Sequence, residues 1–300
     1  MRNASVSTPV AGVCDPGSTR ALQPHRGWLQ SNLSSALFVR WLIVATCVHF
    51  VFMGASHRAA AFSPYENFLL SGRDTHVGLF AQAQPDKEAE LAQALRALSE
   101  SSNQKALAKV GIKDLTAFQR EIQDGTWVFV YFTYAGGKDY LGAAEAFEKA
   151  SPATAALAEL IIPHPRAKTY GRQWLQMEWI NYIRGKNVEG RPKEVLSMVT
   201  TIRPEKEFQY RTLHQTVWPG VVDQMARGNS RNFSIFLVEL GDELYEFFYV
   251  EYMGDDSAKD DALNQADPIN QRWWKYTGEC QTPLPDADGI WSKMEPVAAN

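Results

Sequence analysis

The fold of this chain is decided by the stretch VFVYFTYAGG, Val128–Gly137, because a related stretch occurs again as FFYVEYMGDD, Phe247–Asp256. Three further pairs recur in the same order: QPDKEAEL at 84–91 with RPEKEFQY at 203–210, KASPATAALAEL at 149–160 with QADPINQRWWKY at 265–276, and WLQMEWI at 174–180 with WSKMEPV at 291–297. The distance in sequence between matching residues is nearly constant: 119 residues from Pro85 to Pro204 and 116 from Pro152 to Pro268. A register this constant predicts a tandem duplication of one large unit.

Each copy follows one pattern: a strand, a helix that starts at a proline, a β-hairpin, a helix that starts at Ser-Pro or Asp-Pro, and a final extended segment. The predicted strands are Val77–Ala83, Asp114–Glu121 and Thr126–Tyr134, then Val195–Thr201, Asn232–Glu239 and Leu244–Tyr252. The connectors IQDG and LGDE have the composition of hairpin turns, and proline is typical of the first helical turn. This order predicts an α+β, ferredoxin-like unit with its helices on one face of an antiparallel sheet.

The duplication also predicts how the two copies are arranged. We place the first unit at residues 72–184 and the second at 193–300, joined by the linker RGKNVEGRPK, Arg184–Lys193. An antiparallel sheet with helices on one side leaves its other face to be covered. We therefore expect the two sheets to pack together as an intrachain pseudo-dimer, and the globular part to be a monomer.

The composition argues against several classes of function. The chain has 300 residues, and its formal net charge of −4 argues against a general nucleic-acid-binding protein, which needs a basic face. Of its three cysteines only Cys280 lies in the predicted globular part, so the fold does not depend on an intrachain disulfide. The sequence has no zinc-type Cys/His cluster, no Gly-rich phosphate loop and no redox motif. We therefore expect no metal and no cofactor.

The N-terminal region, residues 1–61, contains the longest apolar run, ALFVRWLIVATCVHFVFMGA at 36–55. Basic residues precede the run, and Ala59-x-Ala61 follows as a candidate signal-peptide cleavage site. One reading is an uncleaved membrane anchor, since about 20 apolar residues span a bilayer. Another is a gene start placed too early, upstream of a normal signal. A buried helix of a soluble protein is the least favoured reading. We expect the globular part to be exported, periplasmic or membrane-anchored; a misplaced start leaves a cytoplasmic location as the alternative.

Residues found in only one copy are candidates for function. The second copy has Tyr210, His214, Trp273 and Trp274 where the first has Leu91, Leu95, Leu157 and Ala158. A lone histidine on an apolar helix face is usually a core residue. Here the first copy tolerates leucine at the same place, so the core does not require histidine and a site is favoured. Helical spacing places Tyr210, His214 and Trp218 on one stripe, and we assign Trp218 to the core.

The second copy resembles the L-rhamnose mutarotase family in four motifs. They are EFQYRTLHQTVWPGV at 207–221, RNFSIFLVE at 231–239, ADPINQRWWKYTG at 266–278 and PLPDADGIWSKMEPV at 283–297. The resemblance implies a dimeric α/β-barrel fold in which His214 is the proton donor and Tyr210, Trp273 and Trp274 contact the sugar. The family has a tyrosine where this chain has Phe233, so one sugar contact lacks its hydroxyl. Because the family forms homodimers of single units, the resemblance implies a dimer fused into one chain with one site lost.

Three functions follow as hypotheses. The first is interconversion of the anomers of an aldose, a 6-deoxyhexose such as L-rhamnose, for which histidine can carry the proton near neutral pH. The second is an exported or membrane-tethered sugar-binding or sensing protein without efficient turnover, which the missing hydroxyl at Phe233 favours. The third is another activity on the same scaffold, such as a cofactor-free monooxygenase, against which the Trp-Trp-Lys motif argues.

Overall fold

A computed structural model describes residues 75–135 and 140–298 of the chain. The strands are β1 (Thr75–Ala83), β2 (Ile112–Ile122), β3 (Gly125–Tyr134), β4 (Ile161–Ile162), β5 (Leu175–Gln176), β6 (Glu178–Gly185), β7 (Glu194–Ile202), β8 (Ser230–Leu240), β9 (Glu243–Tyr252), β10 (Gln281–Thr282), β11 (Ser292–Lys293) and β12 (Glu295–Ala298). The α-helices are α1 (Glu88–Ala97), α2 (Ser101–Lys109), α3 (Ala143–Glu148), α4 (Pro152–Ala156), α5 (Pro165–Thr169), α6 (Glu207–Gln215), α7 (Pro219–Arg227), α8 (Ser257–Ala266) and α9 (Pro268–Gly278). This order confirms the predicted α+β class.

The strands form two antiparallel sheets of matching topology. The first sheet has the order β12-β2-β3-β1-β4, with β5 also paired to β1, and the second has the order β10-β7-β9-β8-β6, with β11 also paired to β7. Both predicted hairpins, β2–β3 and β8–β9, are present. Gln123 and Gly241 in their turns adopt positive φ angles of 52° and 59°, and such left-handed residues allow a tight reversal between twisted strands.

Each unit ends in a strand that belongs to the sheet of the other unit. β5 pairs with β1 in the first sheet, but the next strand, β6, pairs with β8 in the second sheet, where Trp179 lies opposite Phe236. In the same way β11 pairs with β7, but β12 pairs with β2. The buried side chains of Met177 and Met294 mark the two crossing points. The repeated Trp-x-x-Met-Glu motif is therefore the place where the chain changes sheets.

The two sheets pack face to face over a core of aromatic side chains. Tyr131 of β3 and Tyr249 of β9 stack with 3.4 Å between their ring centroids, and the ring of Phe129 lies 5.5 Å from that of Phe236. A Cβ atom at Gly78 would lie 2.9 Å from the Phe129 and Phe236 side chains, so glycine permits this close approach. Each sheet thus covers the inner face of the other.

Helices pack on the outer faces of the sheets, but their ends differ from the prediction. In each unit the single helix expected after the first strand is two shorter helices, α1 and α2 or α6 and α7. The predicted stripe of Tyr210, His214 and Trp218 is wrong as a single helix face, because α6 ends at Gln215. Trp218 has φ −63° and ψ 134° and precedes Pro219, the first residue of α7. Proline disfavours helical backbone at the residue before it, which explains the break.

The predicted signal or anchor segment, residues 36–55, lies outside the described residues. Across 75–135 and 140–298, no helix combines the length and apolar character needed to cross a bilayer.

Candidate functional site

A cavity of about 200 Å³ lies in the second unit, between its helices and the outer face of the second sheet. The five residues that the sequence singled out, Tyr210, His214, Phe233, Trp273 and Trp274, all line this cavity. They come from three separate elements: α6, β8 and α9. The fold therefore brings together the predicted site residues, although 64 positions separate the first of them from the last.

Tyr210 and His214 are the two buried residues of α6, with 1% and 4% of their surface exposed. They lie one helical turn apart, and their ring centroids are 4.2 Å from each other. The Nδ1 atom of His214 lies 3.0 Å from the backbone carbonyl oxygen of Tyr210. Because a carbonyl oxygen only accepts hydrogen bonds, Nδ1 carries the proton here. In the neutral ring Nε2 is then the proton acceptor.

The Tyr210 side chain bonds to a carboxyl group that the sequence analysis did not single out. The Tyr210 hydroxyl donates to Oε1 of Glu246 on β9. Nε2 of Gln281 on β10 donates to Oε2 of the same carboxyl group at 2.9 Å. Glu246 is 0% exposed and also lines the cavity. The polar wall of the cavity is thus a connected set in which Tyr210 lies between His214 and Glu246.

Burial changes the proton affinity of each of these groups. It lowers the pKa of His214 to about 4, although the hydrogen bond with the Tyr210 carbonyl opposes this shift. It raises the pKa of Glu246 to about 8, against the hydrogen bonds from Tyr210 and Gln281, which lower it. Burial and the neighbouring Glu246 carboxylate raise the pKa of Tyr210 well above its usual range. At pH 7 the site therefore offers a neutral imidazole and a largely protonated carboxyl group, a proton acceptor and a proton donor.

A second part of the cavity lining is aromatic. The Trp273 ring lies edge-on to His214, with 5.3 Å between centroids, and is 6% exposed. Trp274 also lines the cavity and is 44% exposed. The rings of Phe233 and Phe248 lie 5.4 Å apart and continue the apolar surface. A cavity with one polar and one aromatic wall fits a ligand that has both hydroxyl groups and an apolar face.

The corresponding place in the first unit is filled by an apolar core. Matching strand registers give Val128 of β3 the position that Glu246 has on β9. Five polar or aromatic residues of the site have apolar counterparts in the first unit: Leu91 for Tyr210, Leu95 for His214, Val128 for Glu246, Leu157 for Trp273 and Ile161 for Gln281. All five are buried in the hydrophobic cluster of the first unit. The fold is therefore compatible with apolar residues at every one of these positions.

The first unit nevertheless supports the site through β6. Ile183 on this strand lines the cavity. Asn181 is 0% exposed, and its Nδ2 donates to the carbonyl oxygen of His214 at 2.6 Å. Arg211 of α6 donates from Nη2 to Oε2 of Glu178 at 2.8 Å. These residues could not be found by comparing the two copies, because they lie in the unit that has no site of its own.

Trp218 does not line this cavity, and it is half-buried rather than part of the core assigned to it. Its ring lies edge-on to Trp273 and to Tyr276, at 5.4 and 5.8 Å between centroids. The guanidinium carbon of Arg272 lies 5.0 Å from the Trp218 ring centroid. Trp218 therefore braces the tryptophan that borders the cavity.

A larger cavity of about 830 Å³ is lined by both sheets and by the linker between the units. Its buried polar groups bond to one another. His76 Nδ1 lies 2.5 Å from the Tyr131 hydroxyl, and the Tyr249 hydroxyl donates to Glu251 at 3.0 Å. Burial lowers the pKa of His76 to about 3. Because these groups satisfy one another and the predicted residues lie elsewhere, the smaller cavity is the better candidate site. In the described part of the chain, no cluster of His, Cys, Asp and Glu could hold a metal ion.

Comparison with known proteins gives a family match that lies within the second unit. The family model for L-rhamnose mutarotase matches residues 196–298. An L-rhamnose mutarotase from Pectobacterium atrosepticum is 28% identical over 101 residues, which are 34% of this chain and 92% of that protein. One from Oceanobacillus iheyensis is 30% identical over 78 residues, 26% of this chain and 70% of that protein. Among solved structures, an anthrone oxidase-like protein aligns at 10% identity and a TM-score of 0.38, over 75% of this chain and 91% of that chain. An alignment at this TM-score carries no inference about function.

Proposed function

Because this chain belongs to the L-rhamnose mutarotase family, a family of carbohydrate isomerases, we propose that its second unit interconverts the α and β anomers of L-rhamnose or a similar 6-deoxyhexose. One observation carries this proposal: the buried pair Tyr210 and His214 lies beside Glu246 in a cavity that is also lined by aromatic side chains. The motif match supports the family, and this geometry supports the chemistry.

His214 is suited to move the proton of the anomeric hydroxyl. Anomer exchange opens the pyranose to its aldehyde, rotates the C1–C2 bond and closes the ring on the other face. Opening requires one group to take the proton of the anomeric hydroxyl and another to protonate the ring oxygen as the bond from C1 to that oxygen breaks. The Nε2 atom of neutral His214 takes the first proton. The resemblance implies a proton donor at this position, but burial leaves the imidazole without a proton to give at pH 7, so His214 accepts first and donates on closure. On closure the imidazolium returns this proton to the former aldehyde oxygen, which becomes the new anomeric hydroxyl.

The aromatic wall supports recognition of a deoxy sugar. Indole faces such as those of Trp273 and Trp274 pack well against the C–H side of a pyranose and against a methyl group. Phe233 adds apolar surface but no hydroxyl group. We therefore infer that the site selects its sugar more by its apolar face than by a hydrogen bond at this position.

The test is anomer exchange by the purified chain. Saturating the anomeric proton of one anomer of L-rhamnose and observing the other by NMR gives the exchange rate directly. We expect exchange faster than in buffer alone, and faster for L-rhamnose than for hexoses with a 6-hydroxyl group. Saturation transfer from protein to sugar without faster exchange would instead support the sugar-binding hypothesis. If neither effect is seen, the proposal is wrong.

Two further proposals concern the whole chain. The matching sheet topologies support a fused pseudo-dimer that keeps one site. The apolar run at 36–55 supports export of the globular part, which remains anchored or is released near Phe62. Cell fractionation with an antibody against the second unit tests the location, and a purely cytoplasmic product that begins after Ala61 would contradict it.

A further inference from the structure

Glu246 is the side chain of the site that packing explains least. It is a carboxyl group with 0% exposure, and no Lys or Arg among the described residues forms an ion pair with it. The groups that face it are the Tyr210 hydroxyl of α6, the Gln281 amide of β10 and the neighbouring thiol of Cys280. The imidazole of His214 lies beyond Tyr210, against its ring. Burying an unpaired carboxylate is unfavourable, so the group is expected to serve a purpose other than stability.

The first unit shows that the fold does not need this carboxyl group. Val128 has the same place in its sheet and is buried in an apolar core. Gln281, which holds the other oxygen of Glu246, corresponds to the buried Ile161. Glu246 and its partners thus occur together in the second unit, and buried apolar residues replace them together in the first.

We propose that Glu246 is the proton source behind Tyr210: its carboxyl group passes a proton through the Tyr210 hydroxyl to the ring oxygen of the sugar, while His214 takes the proton of the anomeric hydroxyl. This inference rests on the proposed function and deepens it. Glu246 acts through Tyr210 and is a positioning and proton-supplying residue. In this proposal the second of the two proton transfers that ring opening requires comes from Glu246 through Tyr210.

The transfer balances without a co-reactant. When Glu246 is neutral, the proton of the Tyr210–Glu246 hydrogen bond lies on the carboxyl group, which then donates to the Tyr210 oxygen instead of accepting from it as the carboxylate does. The Tyr210 O–H can then donate to a sugar bound in the cavity. As the bond between C1 and the ring oxygen breaks, the tyrosine proton goes to the ring oxygen and the Glu246 proton replaces it on Tyr210. The products are an open aldehyde, an imidazolium at His214 and a carboxylate at Glu246, and no tyrosinate forms. Ring closure on either face reverses both transfers.

The proposal makes the rate depend on the protonation of Glu246. Burial places the pKa of this group near 8. The carboxyl group therefore holds its proton at pH 7, and exchange falls as the pH rises through about 8, where the proton source is lost. His214 is already neutral over that range, because burial lowers its pKa to about 4. It does not contribute to the alkaline loss.

The test is the pH profile of L-rhamnose exchange, from pH 6 to 9.5, for the full chain and its Glu246→Gln variant. Glutamine keeps the size and a hydrogen bond to Tyr210 but cannot supply a proton. We expect the variant to lose about a hundredfold in rate at pH 6.5, the low end of what general acid catalysis contributes, and to show no fall near pH 8. Glu243→Gln is the matched control, because it makes the same change on the same strand outside the cavity, and it should keep the parent profile. If Glu246→Gln does not fold, Glu246→Val, which introduces the residue of the first unit, should show the same loss.

The outcomes separate this proposal from the proposed function. A parent chain that exchanges anomers and a folded Glu246→Gln variant that keeps both the rate and the alkaline fall would overturn the role of Glu246 alone. A variant that loses rate but keeps the fall near pH 8 would also overturn it, because another group would then be titrating. A parent chain without exchange would overturn both proposals at once.

Discussion

A single buried histidine shows how function and stability oppose each other in this protein. His214 occupies a helix position at which the first unit has the core residue Leu95. Burial lowers the pKa of His214 to about 4, whereas an unfolded histidine titrates near 6.5. Below pH 6.5 His214 therefore binds a proton in the unfolded chain but not in the folded chain. The free energy of unfolding falls as the pH drops from about 6.5 to about 4, because protons stabilise the unfolded state over this range. The same lowered pKa keeps the imidazole neutral at pH 7, so that it can accept a proton.

His214→Leu is predicted to remove most of the exchange activity while stabilising the fold in acid. The rate should fall by about a hundred- to ten-thousand-fold, the usual contribution of general acid–base catalysis. The free energy of unfolding of the variant, relative to the parent, should rise as the pH falls from 6.5 to 4. NMR exchange and urea denaturation at several pH values measure the two effects. Leu95→Met, a volume-conserving change in the first unit, should leave exchange unaltered, and a His214→Leu variant that exchanges at the parent rate would remove His214 from the mechanism.

Comparing the two units in the sequence predicted part of the site but not all of it. Tyr210 and His214 stand out because the first unit has leucine at both aligned positions. Glu246 gives an equally strong signal, since Val128 is its counterpart, but it lies inside the strand ELYEFFYVEY, where the alternation of side chains hides which face it takes. Whether its carboxyl group points to solvent, to the inner core or to the cavity depends on the strand pairing, and so on tertiary structure.

At the level of elements, β6 is the part of the first unit on which the site depends. It forms the edge of the second sheet next to β8. It also holds α6 in place, through Asn181 at the carbonyl of His214 and through Glu178 at Arg211. The Glu178–Arg211 ion pair is partly exposed and contributes little by itself. The buried amide of Asn181 is the stronger constraint, because its loss would leave a buried carbonyl unsatisfied.

Asn181→Ala is predicted to weaken both the fold and the site. The free energy of unfolding should fall by about 1–3 kcal/mol, the cost of a buried polar group that loses its partner. Exchange should also slow, because the last turn of α6 carries His214 and is no longer held from β6. Urea denaturation and NMR exchange measure both quantities. Asn187→Ala in the exposed linker is the control and should match the parent; unchanged stability and exchange in Asn181→Ala would show that β6 does not position the helix.

Local patterns predicted the strands and hairpins but not how the final segments pair. Periodicity and turn residues are local signals, and they located both hairpins. The end of α6 also had a local signal, since Pro219 disfavours helix at Trp218. The pairing of β6 has no such signal: Glu178–Gly185 mixes apolar and polar residues, and its sequence would allow it to add to either sheet. Only the packing of the two sheets against each other decides that it crosses to the second.

At the scale of the whole molecule, strand exchange explains why a single chain can suffice. Each sheet takes its last strand from the other unit, and the aromatic core between the sheets contains residues of both. The inner faces and the exchanged strands therefore find their partners within one chain. A tethered partner also has a high effective concentration, which favours pairing within the chain over pairing between chains.

The globular part, residues 62–300, is predicted to be a monomer. Light scattering over a range of concentrations should give the mass of one chain throughout, because no exchanged strand remains for a second copy to take. A dimer that persists on dilution would mean that the units pair between chains. The anomer-exchange rate per chain should likewise not depend on protein concentration.

The exchanged strands also determine how the protein comes apart. Proteins made of tandem modules often unfold one module at a time, with the weaker module melting first. Here each sheet contains a strand from the other unit, so unfolding of one unit removes a strand from the sheet of the other. The first unit therefore cannot unfold while the second stays folded. Heat uptake in a calorimeter should therefore form one peak whose van't Hoff enthalpy equals its calorimetric enthalpy. The stability of the second unit thus depends on the first unit, which has no site. A cavity-creating substitution in the core around Leu95 should therefore also lower the temperature at which activity is lost.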